Sequence, residues 1–269
     1  MTEWRGKRAL VTGASGGIGA AIARRLAREG IAVALTARRR DRLEALAVEL
    51  TAHGHEALVL PADLSRVEAR EALAAELERR WGGVDILVNN AGFGHGEPFV
   101  QMAWAQMEAM LAVNVAAVTH LSRLILPGML ARREGWVVNI ASIAGDLPGP
   151  PLSLYCATKA MVQALSEALY REMRTQGIYV GMVNPGPVAT EFWAVASGWQ
   201  EGRWRRFGIS AERVAEATWW AIRRRRKRVY VPWAARFVRW INLLGGGLVD
   251  RAIPWFLHGP GRQMMRRGG

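Results

Sequence analysis

Apolar segments rich in β-branched residues alternate along the chain with amphipathic segments of helical period. The apolar segments are RALVTG, IAVALTA, EALVLPAD, VDILVNNAG, GWVVNIAS, IYVGMVNPG and RVYVPW. Helices are predicted at about residues 17–29, 41–52, 65–81, 104–132 and 154–176. Because strands that are apolar on both faces and separated by helices are typical of a covered parallel sheet, the pattern predicts a doubly wound α/β fold with helices on both faces.

The pattern contains no internal repeat or convincing linker before the last predicted strand, so residues 1–233 are predicted to form a single domain. With 269 residues, 51% of them hydrophobic, the chain can bury one large core. Residues 234–269 are predicted to be a basic, aromatic-rich C-terminal extension. From Ile222 to the C-terminus the chain has twelve Lys and Arg and one acid, Asp250, so we assign the basicity to residues 222–269: +11 of a net +13.

Composition limits the classes of function. The single cysteine, Cys156, excludes an internal disulfide, and five histidines without metal-ligand spacing predict no metal site. The chain enters its first strand pattern almost at once, which leaves no room for the apolar segment of a signal peptide, and no later apolar run reaches about 18 residues. We therefore expect a cytoplasmic protein, either soluble or peripheral to a membrane.

A glycine-rich turn follows the first predicted strand. In TGASGGIG, Gly13, Gly17 and Gly19 lie where the strand turns into a helix. Glycine lets the backbone approach a pyrophosphate, whose charge the helix N-terminus favours. A tight turn alone would also favour glycine, but the position at the start of a βαβ unit favours a dinucleotide site.

Three arginines follow the second predicted strand, at a position where NAD-selecting sites usually have an acid. Arg38, Arg39 and Arg40 could be a solvated charge run. The run precedes a helix start, however, where cations are disfavoured and a nearby anion would relieve the arrangement. We therefore predict NADP(H), with Arg38 as the main contact of the 2′-phosphate.

Six motifs together resemble the short-chain dehydrogenase/reductase family over about residues 7–232. They are TGASGGIG, NNAG at 89–92, Asn114 in AVNVAAV, Ser142 in NIAS, YCATK at 155–159 and NPGPVAT at 184–190. The resemblance implies a Rossmann-type enzyme, a homo-oligomer (dimer or tetramer), that moves hydride between a nicotinamide and a carbonyl or alcohol. It also implies Ser142, Tyr155 and Lys159 as the catalytic trio, with Asn114 holding a proton-relay water.

The resemblance assigns cofactor contacts along these motifs. The predicted cofactor-binding residues are Gly13, Ser15, Gly16, Gly17, Ile18, Gly19, Arg38, Arg39, Asp63, Leu64, Asn90, Ala91, Gly92, Tyr155, Lys159, Pro185, Gly186, Val188 and Thr190. Asn89 is placed against the cofactor in the same way, although it could merely end a strand. Asp63 resembles the adenine contact; it could instead cap the next helix, where Ser65 and Glu68 already form a plausible capping box.

The chemistry of the trio is sensible in itself. Residues four apart share a helix face, so Tyr155 and Lys159 project side by side. Reduction of a ketone needs a proton at oxygen, which a free tyrosine of pKa near 10 holds too tightly. Lys159, aided by the positive nicotinamide of NADP⁺, is expected to lower that pKa, and Ser142 to steady the substrate oxygen. The alternative is a non-catalytic NADP(H)-sensing or scaffold protein, which would not need these groups.

The sequence indicates less about the substrate than about the cofactor. Trp193, Trp199 and Trp204 fall in a predicted substrate loop at about 190–210. If they line the pocket, the substrate is a fairly large apolar ketone or aldehyde; they could equally be core or interface anchors.

In the tail, Phe237, Ile241, Leu244 and Leu248 follow helical spacing until Gly245–Gly247 break the helix. Their apolar face could pack in the core, contact a second subunit or lie on a membrane surface. We predict binding to anionic lipid through the tail. No nucleic-acid partner is expected, because no recognition motif accompanies the charge.

Overall fold

A computed structural model describes residues 3–189 and 208–258. Within them, seven strands form one sheet in the order β3-β2-β1-β4-β5-β6-β7, and every neighbouring pair is parallel. The strands are β1 (Arg8–Thr12), β2 (Ala32–Thr36), β3 (Ala57–Val59), β4 (Ile86–Asn89), β5 (Gly135–Ile140), β6 (Ile178–Pro185) and β7 (Arg228–Val231). The predicted doubly wound Rossmann-type sheet is confirmed.

Helices cover both faces of the sheet. They are α1 (Gly17–Ala27), α2 (Arg40–Ala52), α3 (Val67–Trp81), α4 (Trp104–Leu111), α5 (Val118–Arg132), α6 (Ser153–Met173), α7 (Ala211–Arg223) and α8 (Val238–His258). Successive strand residues point to opposite faces; Val11 packs in the cluster with Ile22 of α1, whereas Leu10 packs with Leu121 of α5. Helix α7 was not predicted, although Val214, Trp219 and Ile222 give it a buried face.

The predicted helical region at 104–132 is continuous but changes character in the middle. A π-helical segment, Ala112–Ala117, joins α4 to α5. By length and composition Trp104–Arg132 could cross a membrane, with a mean hydropathy of 1.6 over its most apolar 18 residues, although polar residues such as Asn114 and His120 interrupt it. Its inner side is packed in the protein, since Met110, Leu121 and Met129 are at most 1% exposed. We therefore interpret it as a core helix.

Beyond β7 the chain turns through a 3₁₀ segment, Trp233–Phe237, into α8. Asn242 Nδ2 donates to the backbone oxygen of Asp146 at 3.0 Å, which attaches α8 to the body. Phe237, Ile241 and Leu244 are 48, 53 and 80% exposed, so core packing is excluded for these three side chains. At Gly245 (φ −119°, ψ 19°) the helix kinks and then resumes, so the expected break is a kink.

The described basic residues of the C-terminal segment lie on both sides of β7. Residues 223–227 precede β7, whereas Arg236 and Arg239 follow its other end. Arg228 forms ion pairs with Asp146 (3.2 Å) and Glu167 (3.1 Å). Half of the twelve cations counted from Ile222 onward therefore lie in or before the last strand, and the other half follow it in the sequence.

Candidate active site

A cavity of about 690 Å³ opens at the carboxyl edge of the sheet, where the strand order reverses between β1 and β4. Most of the predicted site residues line it. They are Gly13, Ser15, Gly16, Gly17, Ile18, Arg38, Arg39, Asp63, Leu64, Asn90, Ala91, Gly92, Ser142, Tyr155, Lys159, Pro185, Gly186 and Val188. Thr190 lies outside the described residues, as do Trp193, Trp199, Trp204 and most of the predicted substrate loop.

The glycine turn brings the start of α1 close to the end of β1. Gly13 has φ +68°, a conformation that other residues rarely adopt. A Cβ at Gly19 would lie 2.3 Å from the Gly13 oxygen and 2.6 Å from Asn90 Nδ2. Gly19 therefore lies behind the turn and permits close packing, which corrects its prediction as a cofactor contact.

The second arginine of the run, Arg39, contacts the glycine turn. Arg39 Nη2 lies 3.1 Å from Ser15 Oγ, and a Cβ at Gly16 would be 3.6 Å from the same nitrogen. Arg38 also lines the cavity, but Arg39 is the better-placed partner of a phosphate beside the turn, so the assignment of Arg38 as the main contact is revised. Arg42 Nη1, 3.8 Å from the same Cβ position, was missed; it lies in the first turn of α2, three residues after Arg39.

Asp63 lines the cavity after β3 and is held by Ser65. The Ser65 backbone nitrogen (3.1 Å) and hydroxyl (2.8 Å) both donate to Asp63 Oδ1. These hydrogen bonds, led by the backbone one, lower the pKa of Asp63. Because Ser65 is used here and α3 begins only at Val67, the predicted capping box of Ser65 and Glu68 is wrong.

Asn114 lies in the π-helical segment, 1% exposed, behind the cavity wall. Its Nδ2 donates to the Phe93 oxygen at 2.8 Å and to Thr158 Oγ1 at 3.1 Å, and its Oδ1 accepts from Phe93 N at 3.0 Å. A Cβ at Gly92 would come within 3.0 Å of that Oδ1. The side chain thus fixes the loop after β4, and its role in holding a relay water stays a prediction.

Ser142, Tyr155 and Lys159 meet at the end of β5. Tyr155 makes a side-chain hydrogen bond with Ser142, whose Oγ also accepts from Ala144 N at 3.1 Å. Lys159 Nζ donates to the Ile140 oxygen at 2.9 Å and lies 5.8 Å from the centroid of the Tyr155 ring. The tyrosine and lysine therefore share a helix face, as their spacing predicts.

Burial shifts the pKa values of Tyr155 and Lys159. It raises the pKa of Tyr155 above its usual value and lowers the pKa of Lys159 to about 8. In the protein without cofactor, burial outweighs the hydrogen bond with Ser142, and the expected lowering of the Tyr155 pKa is not found.

Some residues differ from the prediction. Asn89 is buried, and its Nδ2 donates to Asn139 Oδ1 at 2.8 Å, so it ties β4 to β5 and does not face a cofactor. The prediction also missed apolar residues that line the cavity. They are Phe93, Val113, Ile143, Ala144, Leu147 and Leu152, of which Phe93, Ala144 and Leu152 pack in one cluster with Tyr155. The first three each adjoin a predicted residue, which is the signal that could have found them.

The sheet and the cavity together are those of a nicotinamide-dependent oxidoreductase acting on CH–OH or C=O groups. The chain belongs to the short-chain dehydrogenase/reductase family, because the family model described as short chain dehydrogenase matches residues 7–201.

Individual relatives extend this result. The chain is 44% identical over 186 residues to nodulation protein G of Rhizobium sp. (strain N33), covering 69% of this chain and 75% of that one. It is 37% identical over 226 residues to a fatty acyl-CoA reductase of Mycobacterium tuberculosis, covering 83 and 74%. A short-chain dehydrogenase of Sphingobium yanoikuyae, solved in complex with NADPH, superposes with a TM-score of 0.81 at 34% identity, covering 91 and 95%. The predicted family and class of enzyme are confirmed, and the NADPH-bound relative agrees with the predicted cofactor.

Proposed function

We propose that this protein is an NADP(H)-dependent carbonyl reductase or alcohol dehydrogenase for apolar ketones or aldehydes, with Tyr155 as general acid/base. One observation carries the proposal: the Ser142–Tyr155–Lys159 cluster and an arginine-flanked glycine turn open into the same cavity. A non-catalytic sensor would need the turn but not the proton-transfer groups.

The residues present fit a dinucleotide phosphate. The turn at Gly13–Gly17 has the close backbone approach that a pyrophosphate needs, next to the N-terminus of α1. Arg38 and Arg39 supply cations for a 2′-phosphate, and Asp63 lies at the adenine end by family resemblance. When bound, NADPH supplies the hydride that the carbonyl carbon receives.

The chain's own residues handle the proton. The Tyr155 hydroxyl donates to the carbonyl oxygen in reduction and takes the proton back in oxidation. When substrate is bound, the Ser142 hydroxyl donates its one hydrogen to the same oxygen in place of Tyr155 and stabilises its developing charge. With a pKa of about 8, Lys159 is largely protonated at neutral pH, and its positive charge favours the phenolate form of Tyr155.

The apolar lining of the cavity supports the substrate class. Phe93 and Leu152 pack in one cluster with Tyr155, and Ile143 and Leu147 line the same cavity. Such a lining favours a ketone or aldehyde with apolar substituents. The relative named as a fatty acyl-CoA reductase supports an apolar substrate.

The test is a screen of NADPH oxidation with aldehydes, ketosteroids, quinones and acyl ketones, using wild type and Tyr155→Phe. We expect turnover of apolar carbonyl compounds by wild type and its loss in the variant. Tight NADPH binding without turnover of any compound would support the sensor instead.

We also propose that the protein is cytoplasmic and touches anionic membrane lipid through α8. Trp233 and Phe237 of the preceding 3₁₀ segment and Trp240 and Ile241 of α8 are 63, 48, 57 and 53% exposed. Arg236 lies 4.7 Å from the Trp233 ring, so cation and aromatic surface are adjacent. Asn242 holds the opposite side of the helix to the body, which leaves this face turned outward.

Lipid fits this face better than a second copy does. A two-fold interface would gather Arg236 and Arg239 of both copies at one contact, whereas anionic headgroups attract them and the headgroup region accepts tryptophan. The homo-oligomer, dimer or tetramer, stays a prediction that rests on the family resemblance.

Vesicle co-sedimentation tests the lipid contact, with phosphatidylcholine alone and mixed with phosphatidylserine. We expect salt-sensitive binding to the anionic vesicles that Trp240→Ser combined with Ile241→Ser weakens. Trp220→Ser is the matched control, because Trp220 is 46% exposed and also faces an arginine, Arg226, at 5.1 Å, but lies before β7. Equal sedimentation of all proteins, or a change in oligomeric state instead, would refute the lipid contact.

A further inference from the structure

Behind Ser142 lies a buried polar cluster that the proposed chemistry does not use. Its centre is Gln163 on α6, which is 5% exposed. Gln163 Nε2 lies 2.8 Å from the backbone oxygen of Ser142, 2.8 Å from Asn184 Oδ1 and 3.1 Å from Asp146 Oδ2. The cluster therefore connects α6 directly to the backbone of the serine that meets Tyr155.

Gln163 repeats, one helical turn later, the contact that Lys159 makes. Lys159 Nζ donates to the Ile140 oxygen and Gln163 Nε2 to the Ser142 oxygen. Four residues of helix advance about 6 Å, close to two residues of extended chain. The two side chains thus hold alternate carbonyl groups along the exit of β5.

Asp146 supports the Gln163 amide from the far side. This carboxyl group is 8% exposed; its Oδ1 accepts from Arg228 at 3.2 Å and its Oδ2 from the Tyr230 hydroxyl at 3.1 Å. Since Asp146 has these two donors, the two N–H groups of Gln163 can serve the shorter contacts to Ser142 and Asn184. An ion pair from β7 thereby limits where the amide can lie.

Packing leaves the amide little freedom. A Cβ at Gly145 would lie 2.9 Å from Gln163 Cδ and Nε2, so the glycine is in close contact with the amide group. Closely packed buried side chains have few alternative rotamers. Gln163 is accordingly held by packing, by Asn184 and by Asp146 at once.

We propose that Gln163 is a positioning residue for the reaction: it fixes the backbone at Ser142 so that the serine hydroxyl meets Tyr155, and the Asp146–Arg228–Tyr230 group fixes Gln163. The inference rests on the proposed role of Ser142. Gln163 itself does not touch substrate or cofactor.

The first test is Gln163→Met, which keeps the length of the side chain and removes its donors. We expect kcat to fall roughly tenfold, the size of effect that loss of one buried hydrogen bond gives, with the NADPH dissociation constant unchanged. Ser166→Ala is the matched control, because Ser166 is a buried polar residue on the same helix that accepts from Asn139 Nδ2 at 2.8 Å and is remote from Ser142. It should leave kcat unchanged.

The decisive test repeats the substitution in a Ser142→Ala background, with single-turnover NADPH oxidation as the readout. If Gln163 acts through Ser142, Gln163→Met has no further effect there, whereas a purely structural role would lower the rate equally in both backgrounds. Unchanged kcat in Gln163→Met, or additive losses, would overturn the inference.

Two further results keep this test separate from the proposed function. If Ser142→Ala and Tyr155→Phe alone do not slow turnover, the proposed function fails; if they do and Gln163→Met does not, only this inference fails. Should Gln163→Met not fold, Tyr230→Phe removes one donor to Asp146. It should give a smaller loss of kcat that disappears in the Ser142→Ala background, and persistence of the loss there would overturn the inference.

Discussion

The carboxyl edge of the sheet and the C-terminal segment from Arg223 onward differ in what determines them. At the carboxyl edge, motif residues from Gly13 to Val188 meet in one cavity because most of them follow the end of a parallel strand. In the C-terminal segment, the strand and the helix form as expected, but the cations separate to the two ends of β7 and the apolar face of α8 points outward. Buried strands thus determine where a site forms, whereas the amphipathic pattern of a helix does not by itself determine what covers its apolar face.

The largest expected effect concerns the carboxyl edge. Tyr155→Phe should lower kcat roughly 100-fold or more, because it removes the proton donor and keeps the ring. NADPH binding, measured by fluorescence titration, should be nearly unchanged. Near-normal turnover would remove Tyr155 from the mechanism and reduce the carboxyl edge to a binding site.

The arginine run should control cofactor choice. Arg38→Asp and Arg39→Asp should each shift the NADPH/NADH ratio of kcat/KM toward NADH by roughly 10- to 100-fold, the range for losing a charged hydrogen bond, and Arg39→Asp should have the larger effect. Arg40→Asp is the control, because Arg40 pairs with Glu44 at 3.2 Å. A wild-type enzyme that uses both cofactors equally would contradict this account.

Burial of Lys159 should appear in the pH dependence of stability without cofactor. Its pKa is about 8 when folded, against an ordinary value of 10.5, so above pH 8 the folded state loses the proton while the unfolded chain keeps it. Stability should therefore rise between pH 8 and 10, relative to Lys159→Met, by about 2 kcal/mol. Urea denaturation at pH 7.5 and 9.5 measures the difference; parallel curves for the two proteins would show that Lys159 is not buried as described.

The smallest expected effects are on the free energy of unfolding, and they differ between the two sides of α8. Asn242→Ala should reduce the free energy of unfolding by about 1 kcal/mol, since it removes the hydrogen bond to Asp146. Trp240→Ser, on the outward face, should change it by less than about 0.5 kcal/mol. Denaturation of both variants is the measurement, and a larger loss from Trp240→Ser would mean that the apolar face is covered.

The parts predicted from the sequence were those that backbone geometry decides. Strand ends, the glycine turn and the i,i+4 pair of Tyr155 and Lys159 follow from local spacing. Which arginine lies nearest to Ser15 depends on how α2 begins, and the use of Ser65 by Asp63 depends on a turn that competes with helix capping. The Gln163 cluster brings together four elements, so no local pattern indicates it.

The most direct test of the central claim is transfer of deuterium from [4,4-²H₂]NADPH, labelled at both C4 positions, to an apolar ketone, followed by NMR of the product. We predict deuterium on the carbinol carbon with wild type and almost none with Tyr155→Phe at equal cofactor occupancy. Bound NADPH that passes no deuterium to any apolar ketone or aldehyde, or equal transfer by the two proteins, would contradict the account.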